Sequence, residues 1–474
     1  MRRGNVVEVQ FPKEAYPETG ENWVVTRPGH TQEWQDRIRQ RRQSAERDTT
    51  MAAKENARGD RQRKGLYKEW TEYEDQPAGD DRIYLKKTLS QAQVVYGHLE
   101  TLTSQLRPLV KCQPRPKQIY AAKEASGRAA LKEILINNQF DISRFESDTL
   151  PSWRWNFLFH TSAYVRTLYR TSRMDADIEF KVVDRSNLYV DPDVDTGNIR
   201  DAGWVIEEDW VTREAAEEMV EQGYWHLPGG VESVNRSAFS PSTGVLAEIT
   251  GRYQQRMRNT SLDDDENIRV WHYWQSDRNG QDHAYGCVLG EHLVYYGPNP
   301  QPYKGIPYRG KSYLRDPHRI DGISLANQHR HINDVANTFL DLRIQDVLEN
   351  SKSRWHVAAA LFDETTEEDH LSNSKYVRFN SAYLERLTSM KMSPKDFIFP
   401  PNGATSTDNL LQDLQFLEGE GNAATNITSI FKGGSPQSGA TASQYQEQVM
   451  RSLGAFRPVY KGEMTLLEEV AEIV

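Results

Sequence analysis

The sequence predicts an α+β fold, in which a mixed body is followed by long helices flanking a smaller module. Three patterns predict it. After Asp175 apolar and polar residues alternate, with Ile178, Phe180 and Val182 set against Asp177, Glu179 and Lys181, as in a half-buried strand. The stretch Asp321–Asn350 has the helical period instead. There Leu325, Ile332, Val335, Phe339, Leu342 and Val347 recur at spacings of three, four, five or seven, with no Pro and with the only Gly, Gly322, at the start. A second helical stretch, Asp408–Asn426, follows after about fifty residues. At about 1.5 Å per residue the first helix is roughly 45 Å long, and a helix that long with a narrow apolar stripe calls for a neighbour alongside it.

Taken in order, residues 1–30 are punctuated by Pro and Gly and read as irregular. Thr31–Trp70 is helix-prone and charged, with Arg37, Arg39, Arg41, Arg42, Arg47, Arg58, Arg61, Arg63 and Lys64 among acids. A solvated helical face is the simpler reading of that run, and a basic surface for nucleic acid the sharper one. Gly79, Asp80 and Asp81 break the pattern, Ile83–Leu106 resumes an amphipathic helix, and Pro108 ends it. Leu109–Pro114 reads as a short strand closed by prolines. Helices are expected over Glu124–Asn138 and Phe140–Tyr169. The second carries Trp153, Trp155, Phe157, Phe159 and Tyr164, for which core packing is a simpler role than base stacking.

Strands follow at Ile178–Val182, Leu188–Val190 and Trp204–Trp210, the last leading to a helix with Thr212 as its N-cap. Gly229–Asn267, rich in Ser, Gly, Thr and acids, reads as an insertion or surface loop. Arg269–Trp274, Ala284–Leu289 and His292–Tyr296 form an antiparallel meander. Beyond the long helix, Trp355–Ala360 and Lys375–Phe379 are short strands, and the Gly/Ser stretch Phe431–Gly439 is a flexible loop by composition. From Thr441 the pattern is helical again, to Pro458 and then on to Val474 without a cap.

Composition narrows the function classes. A chain of 474 residues has room for two to four domains. Its net charge of −10 argues against a protein that grips nucleic acid over its whole surface, because that grip rests on many Lys and Arg neutralising phosphates. Cys112 and Cys287 are too few and too far apart for a disulfide framework or a zinc site, which points to a reducing cytosol as the place of synthesis. No apolar run approaches the roughly twenty residues of a membrane helix, and MRRGNVVEVQ lacks the apolar core of a signal peptide. A protein that is not secreted and has no membrane partner is therefore expected.

The loudest motif is Gly305–Ser312, which fits the phosphate-loop pattern G-x-x-x-x-G-K-[ST]. Its chemistry needs a buried strand before the loop and a helix N-terminus after it. Here the preceding GPNPQPYK is proline-rich and Pro317 disfavours helix at Asp316, so a Pro/Gly connector is the simpler reading. Asp191–Gly197 nearly matches a calcium loop, but its Gly is one place late and its twelfth position is Ala202, so it reads as a tight turn. His329 and His331, two apart on a helix, diverge by about 200° and share no metal; they read as polar-face residues. No catalytic residue, cofactor or metal site is expected.

Four local matches in order resemble the portal proteins of tailed phages, particularly the larger portals of short-tailed phages. They are Val183–Pro192 leading through Ala202-Gly203-Trp204 to the helix at Thr212; Gly305-Ile306-Pro307-Tyr308, Pro317 and Asp321–Ser324 leading into the long helix with Gln328, Asn333 and Asn337; the order helix, small domain, helix; and Gly439–Ala442 opening a helix with Gln444, Gln446 and Glu447. The resemblance implies a ring-forming portal fold. Residues 1–320 would be the wing, 321–351 the first stem helix, 352–404 the small α/β clip, 405–426 the second stem helix, 427–440 the tunnel loop and 441–474 the crown helices. It departs from the larger portals in its small crown and in lacking a long C-terminal barrel.

The resemblance also implies a function and partners. Portals form homo-oligomeric rings, usually dodecamers, at one capsid vertex of the virion, through which double-stranded DNA is packaged and ejected. They are assembled in the host cytoplasm with major capsid and scaffolding proteins, and dock the terminase large subunit and later head–tail adaptor or tail proteins. On that reading Asp408, Asp413, Glu418 and Glu420 of the second stem helix, which has no Lys or Arg, would repel DNA and keep it centred. Lys432, Gln437 and Ser438 of the tunnel loop would touch it transiently. Leu325, Ile332, Val335, Phe339, Leu342 and Val347 would be buried between neighbouring subunits. The alternatives are a nucleotide-binding enzyme using Gly305–Ser312 and a tail or adaptor protein without a DNA channel.

Overall fold

A computed structural model describes residues 30–67, 82–114, 122–171, 176–194, 196–221, 223–227, 229–231, 234, 267–276, 284–299, 301, 303, 305–317, 319–351, 356–357, 385–386, 389–390, 398–399, 407–425 and 442–474. In chain order the elements begin with α1 (His30–Lys64), α2 (Lys87–Gln105), α3 (Ala122–Ile142), a π-helical turn (Phe145–Thr149) and α4 (Leu150–Phe159). There follow β1 (Ala163–Thr171), β2 (Ala176–Asp184), β3 (Leu188–Val190), β4 (Trp204–Thr212), α5 (Arg213–Glu221), β5 (Asn267–Gln275), β6 (Ala284–Leu289), β7 (His292–Pro298) and β8 (Tyr308–Lys311). The last are α6 (Leu325–Ser351), β9 (His356–Val357), β10 (Ile398–Phe399), α7 (Thr407–Thr425) and α8 (Ala442–Ala471). The fold is mixed helix and strand, as the sequence predicts. Two compact units divide the chain: Met1–Lys64 with Thr88–Gln328 and Thr425–Val474, and Gly65–Lys87 with His329–Ala424.

The first unit is built in layers. A three-stranded antiparallel sheet, β2-β1-β8, and a five-stranded one, β3-β4-β5-β6-β7, share one core of Tyr164, Leu168, Val205, Trp274, Tyr285 and Tyr308, capped by Ala216 and Met219 of α5. Alternation along β1 sends Tyr164 and Leu168 into that core and Ala163 and Val165 into a second one, with Trp153, Phe157, Leu99, Leu325 and Leu466 from four helices. Along β4 the same alternation sends Val205 inward and Trp204 and Ile206 outward, where Ile38 and Ala45 of α1 cover them. Covered on both faces, β3 and the start of β4 read as continuous apolar runs. The N-cap at Thr212 is as expected, its Oγ1 accepting from the Ala215 amide at 3.3 Å.

Several expectations need correcting. The helix expected over Phe140–Tyr169 divides: His160 turns extended, with φ −101° and ψ 162°, and from Ala163 the chain runs as β1. Tyr164 therefore leaves the helical aromatic cluster and packs between the sheets, while Trp153, Phe157 and Phe159 are fully buried and serve as core. Leu109–Pro114 forms no strand, because Asn137 of α3 supplies what a strand partner would: its Oδ1 accepts from the Val110 amide at 3.2 Å and its Nδ2 donates to the Val110 carbonyl at 2.9 Å. His329 is buried and not on a polar face, whereas His331 is exposed. Strand β9 pairs with Ile398–Phe399. Residues 1–29, the strand expected at Lys375–Phe379 and most of Gly229–Asn267 lie outside the described residues.

Candidate functional site: the long-helix pair

Helix α6 reads as amphipathic, yet its polar residues form a ladder. In the second unit Asn333, Asn337 and Asp341, four residues apart, meet the segment before α2. Asn333 Nδ2 donates to Tyr84 Oη at 2.7 Å, Asn337 Oδ1 accepts from the Leu85 amide at 2.5 Å, and Tyr67 Oη donates to the Asp341 carboxylate at 2.9 Å. The Tyr67 and Tyr84 rings meet edge to face at 5.1 Å. Burial, and for Tyr67 the Asp341 carboxylate, push both phenols above their ordinary range. Sequence reasoning missed both tyrosines. The signal was there in two Asn and an Asp at i, i+4, i+8 inside a helix, residue types that favour caps and turns unless something holds them.

Helix α7 packs on α6 through Gly421. A side chain there would place its Cβ 2.6 Å from His329 Nε2 and 3.4 Å from Ile332, so glycine is what permits the approach. The helix exposes Gln412, Asp413, Gln415, Glu418 and Glu420, and no Lys or Arg occurs along it. Glu418 lies 3.7 Å from Lys87, a long contact between partly exposed groups that contributes little.

The residues expected to matter fall into three groups. Asp413, Glu418 and Glu420 are exposed on α7, Asp413 and Glu420 along one side and Glu418 on another; Asp408 lies in its first turn, with a side chain outside the described residues. Among the apolar residues of α6, Leu325 is in the chain's own core, Ile332 and Phe339 are half-buried, and Val335 and Leu342 are 41% and 50% exposed. Val347 lies on the helix with its side chain outside the described residues, where Lys432, Gln437 and Ser438 also fall. Phe416 of α7, which the sequence did not single out, is 66% exposed. Single exposed apolar residues need no explanation, but three large ones on two adjoining helices do.

Gly305–Ser312 is not built as a phosphate loop. Tyr308–Lys311 is strand β8, paired with Ala163–Arg166 of β1, and Lys311 Nζ sits 2.6 Å from Glu469 of α8. No helix follows directly, because Leu314 bridges back to Ile323 and α6 begins only at Leu325. Asp191 closes a turn, its carboxylate accepting from the Asp193 and Gly203 amides. Among the described residues no three His, Cys, Asp or Glu side chains are placed to hold a metal ion, and no described helix is long and apolar enough to cross a membrane.

No family profile and no curated sequence matches the chain.

The charged residues of the first unit are largely spoken for. Arg42 of α1 lies over the Tyr189 and Trp271 rings and 3.3 Å from Glu208, and Arg41 lies over Trp204 and Tyr273. Arg39, Arg58 and Arg63 pair with Asp36, Glu55 and Asp60 one turn away. Arg41 and Arg42 thus hold α1 to the sheet, while Arg39, Arg58 and Arg63 are paired within the helix. Between the sheets, Arg166 of β1 is 2.7 Å from Glu207 of β4, which also accepts from Tyr308. Beside them burial opposes ionisation of Asp209, but Lys181 and Arg166 outweigh it and bring its pKa to about 2. Burial also pushes His272 down to about 4, so the imidazole facing Tyr285 at 2.7 Å is neutral near pH 7. These groups clamp two sheets.

Proposed function

We propose that the chain is the subunit of a portal ring, set at one capsid vertex of a tailed phage, through which double-stranded DNA enters and leaves. The observation that carries this reading is the helix pair of the second unit. Helix α7 carries Asp413, Glu418 and Glu420 exposed and has no Lys or Arg, and the pair leaves Val335, Leu342 and Phe416 uncovered. A ring supplies what such a pair lacks. Neighbouring copies related by rotation would cover the apolar residues, and the acidic helix would line a channel that repels a polyanion and does not bind it. The residues between the two helices, which include β9 and β10, would form the clip that meets the terminase large subunit and then adaptor or tail proteins. Major capsid and scaffolding proteins would surround the ring in the virion. No cofactor enters this function.

Negative-stain images and mass photometry of the purified chain test the reading. The expected result is a turbine-like ring, a dodecamer or close to it, with a central hole wide enough for duplex DNA. A monomer, or an assembly with no axial hole, overturns it and leaves an adaptor or tail component as the better description. Nucleotide binding that is lost on Lys311→Ala would overturn it in favour of an enzyme.

A further inference from the structure

Where α4 ends, three consecutive residues meet one face of α1. Gly59 lies directly under the Phe159 carbonyl, and a Cβ there would stand 2.1 Å from that oxygen. One turn earlier, Asn56 accepts from the Thr161 amide at 2.9 Å and donates to Asp184 at 3.1 Å. Between these contacts sits His160, only 5% exposed. Its Nε2 is 3.3 Å from Asp60 of α1 and its Nδ1 is 3.8 Å from Asp184 of β2. That Nδ1 is buried and makes no hydrogen bond, so Asp184 acts on it by charge alone.

We propose that His160 holds a proton between Asp60 and Asp184, and that this proton fastens the C-terminal third of α1 to the end of α4 and the edge of the sheet. Losing it at alkaline pH leaves two half-buried carboxylates facing a neutral ring, and the last turns of α1 open locally. This does not rest on the ring reading, since every group involved belongs to one unit of one chain.

The surrounding charges favour the proton. From α1 come Asp60, Arg63, which is 3.0 Å from Asp60, and Lys64; from β2 comes Asp184. The neighbouring Arg185 is already engaged by Asp321 at 2.8 Å. Burial works against a charged ring, but Asp184 and Asp60 outweigh burial and Arg63, and the His160 pKa is raised. A raised histidine contributes stability that is fully present below its unfolded value of about 6.5 and is lost as pH rises through the folded value. His272, held low, changes stability only below that point. Cys287 and the buried tyrosines, held high, act on unfolding as pH nears 9 and above.

Hydrogen–deuterium exchange of the full chain between pH 6 and 8.5, corrected for intrinsic rates, reads this out in peptides covering 54–64. Protection there is expected to fall with pH, by up to roughly tenfold for each unit by which the His160 pKa exceeds 6.5. His160→Gln should remove the pH dependence, and Asp60→Asn, which keeps the ring, should move its midpoint down. Protection of 54–64 that is flat in the unaltered protein overturns the proposal, as does a pH dependence that survives His160→Gln. If His160→Gln does not fold, an unmoved midpoint in Asp60→Asn is equally fatal.

Discussion

Arg166 and Glu207 face each other across two sheets, both almost fully buried, and their value lies in being kept together. Isolated, either charge would be expensive in that setting, and Arg166 has two further nitrogens without a hydrogen-bond partner. Breaking the pair should therefore cost far more than deleting it. Glu207→Gln is expected to destabilise by about 3–5 kcal/mol, because it leaves a buried guanidinium with only the longer, 3.7 Å contact to Asp209, and Arg166→Met by a similar amount. Arg166→Met with Glu207→Leu should lose clearly less than the two added together, with the Tyr308 hydroxyl, deprived of its acceptor, accounting for about 1–3 kcal/mol of what remains. Urea unfolding of the four proteins decides it, and strict additivity would show that the charges do not act as a pair.

At the scale of elements, α8 shows how a residue can carry a motif and serve packing. Lys311 is the lysine of the phosphate-loop pattern, yet it is spent on Glu469, while on the next turn Glu472 lies 2.8 Å from Arg200. Deeper in, Glu463 is met by Arg154 of α4 at 2.7 Å and by Thr103 of α2 at 2.8 Å. Lys311→Ala is expected to cost about 1–2 kcal/mol and to raise protease sensitivity near the end of α8, because a partly buried pair on strand β8 is lost. It should leave nucleotide affinity unmeasurable both before and after. The same element shows what could be read in the sequence. The stripe Phe456, Leu466, Leu467 and Val470 announced a helix, and the period-two runs announced β2, β4 and β5–β7. The strand at Ala163–Thr171 did not show, because Trp153–Tyr164 is aromatic enough to suit either period and only the extended turn at His160 separates them. The partners of Glu463 are hundreds of residues away, and spacing along one chain carries no trace of them.

At the scale of the molecule, the parts legible in advance were those set by local repetition, and the illegible ones were pairings between distant segments. The ladder of α6 with Tyr67, Tyr84 and Leu85 belongs to the second kind, and it changes what the exposed residues of that helix mean. Once the Asn333–Asp341 face is occupied and Gly421 covers His329 and Ile332, Val335 and Leu342 are apolar residues that the described chain leaves to solvent. If copies assemble around an axis through them, burying the two side chains contributes roughly 3 kcal/mol per contact, about a hundredfold in association, and a carboxylate at either place adds a desolvation cost. Val335→Asp with Leu342→Asp is therefore expected to leave the circular dichroism and melting of the chain nearly unchanged while mass photometry shows monomers or small oligomers in place of rings. Phe416→Asp on α7 should weaken assembly in the same direction. Rings that form unaltered in the double variant would show that these helices meet no neighbour, and the subunit contact would then have to be sought in the first unit.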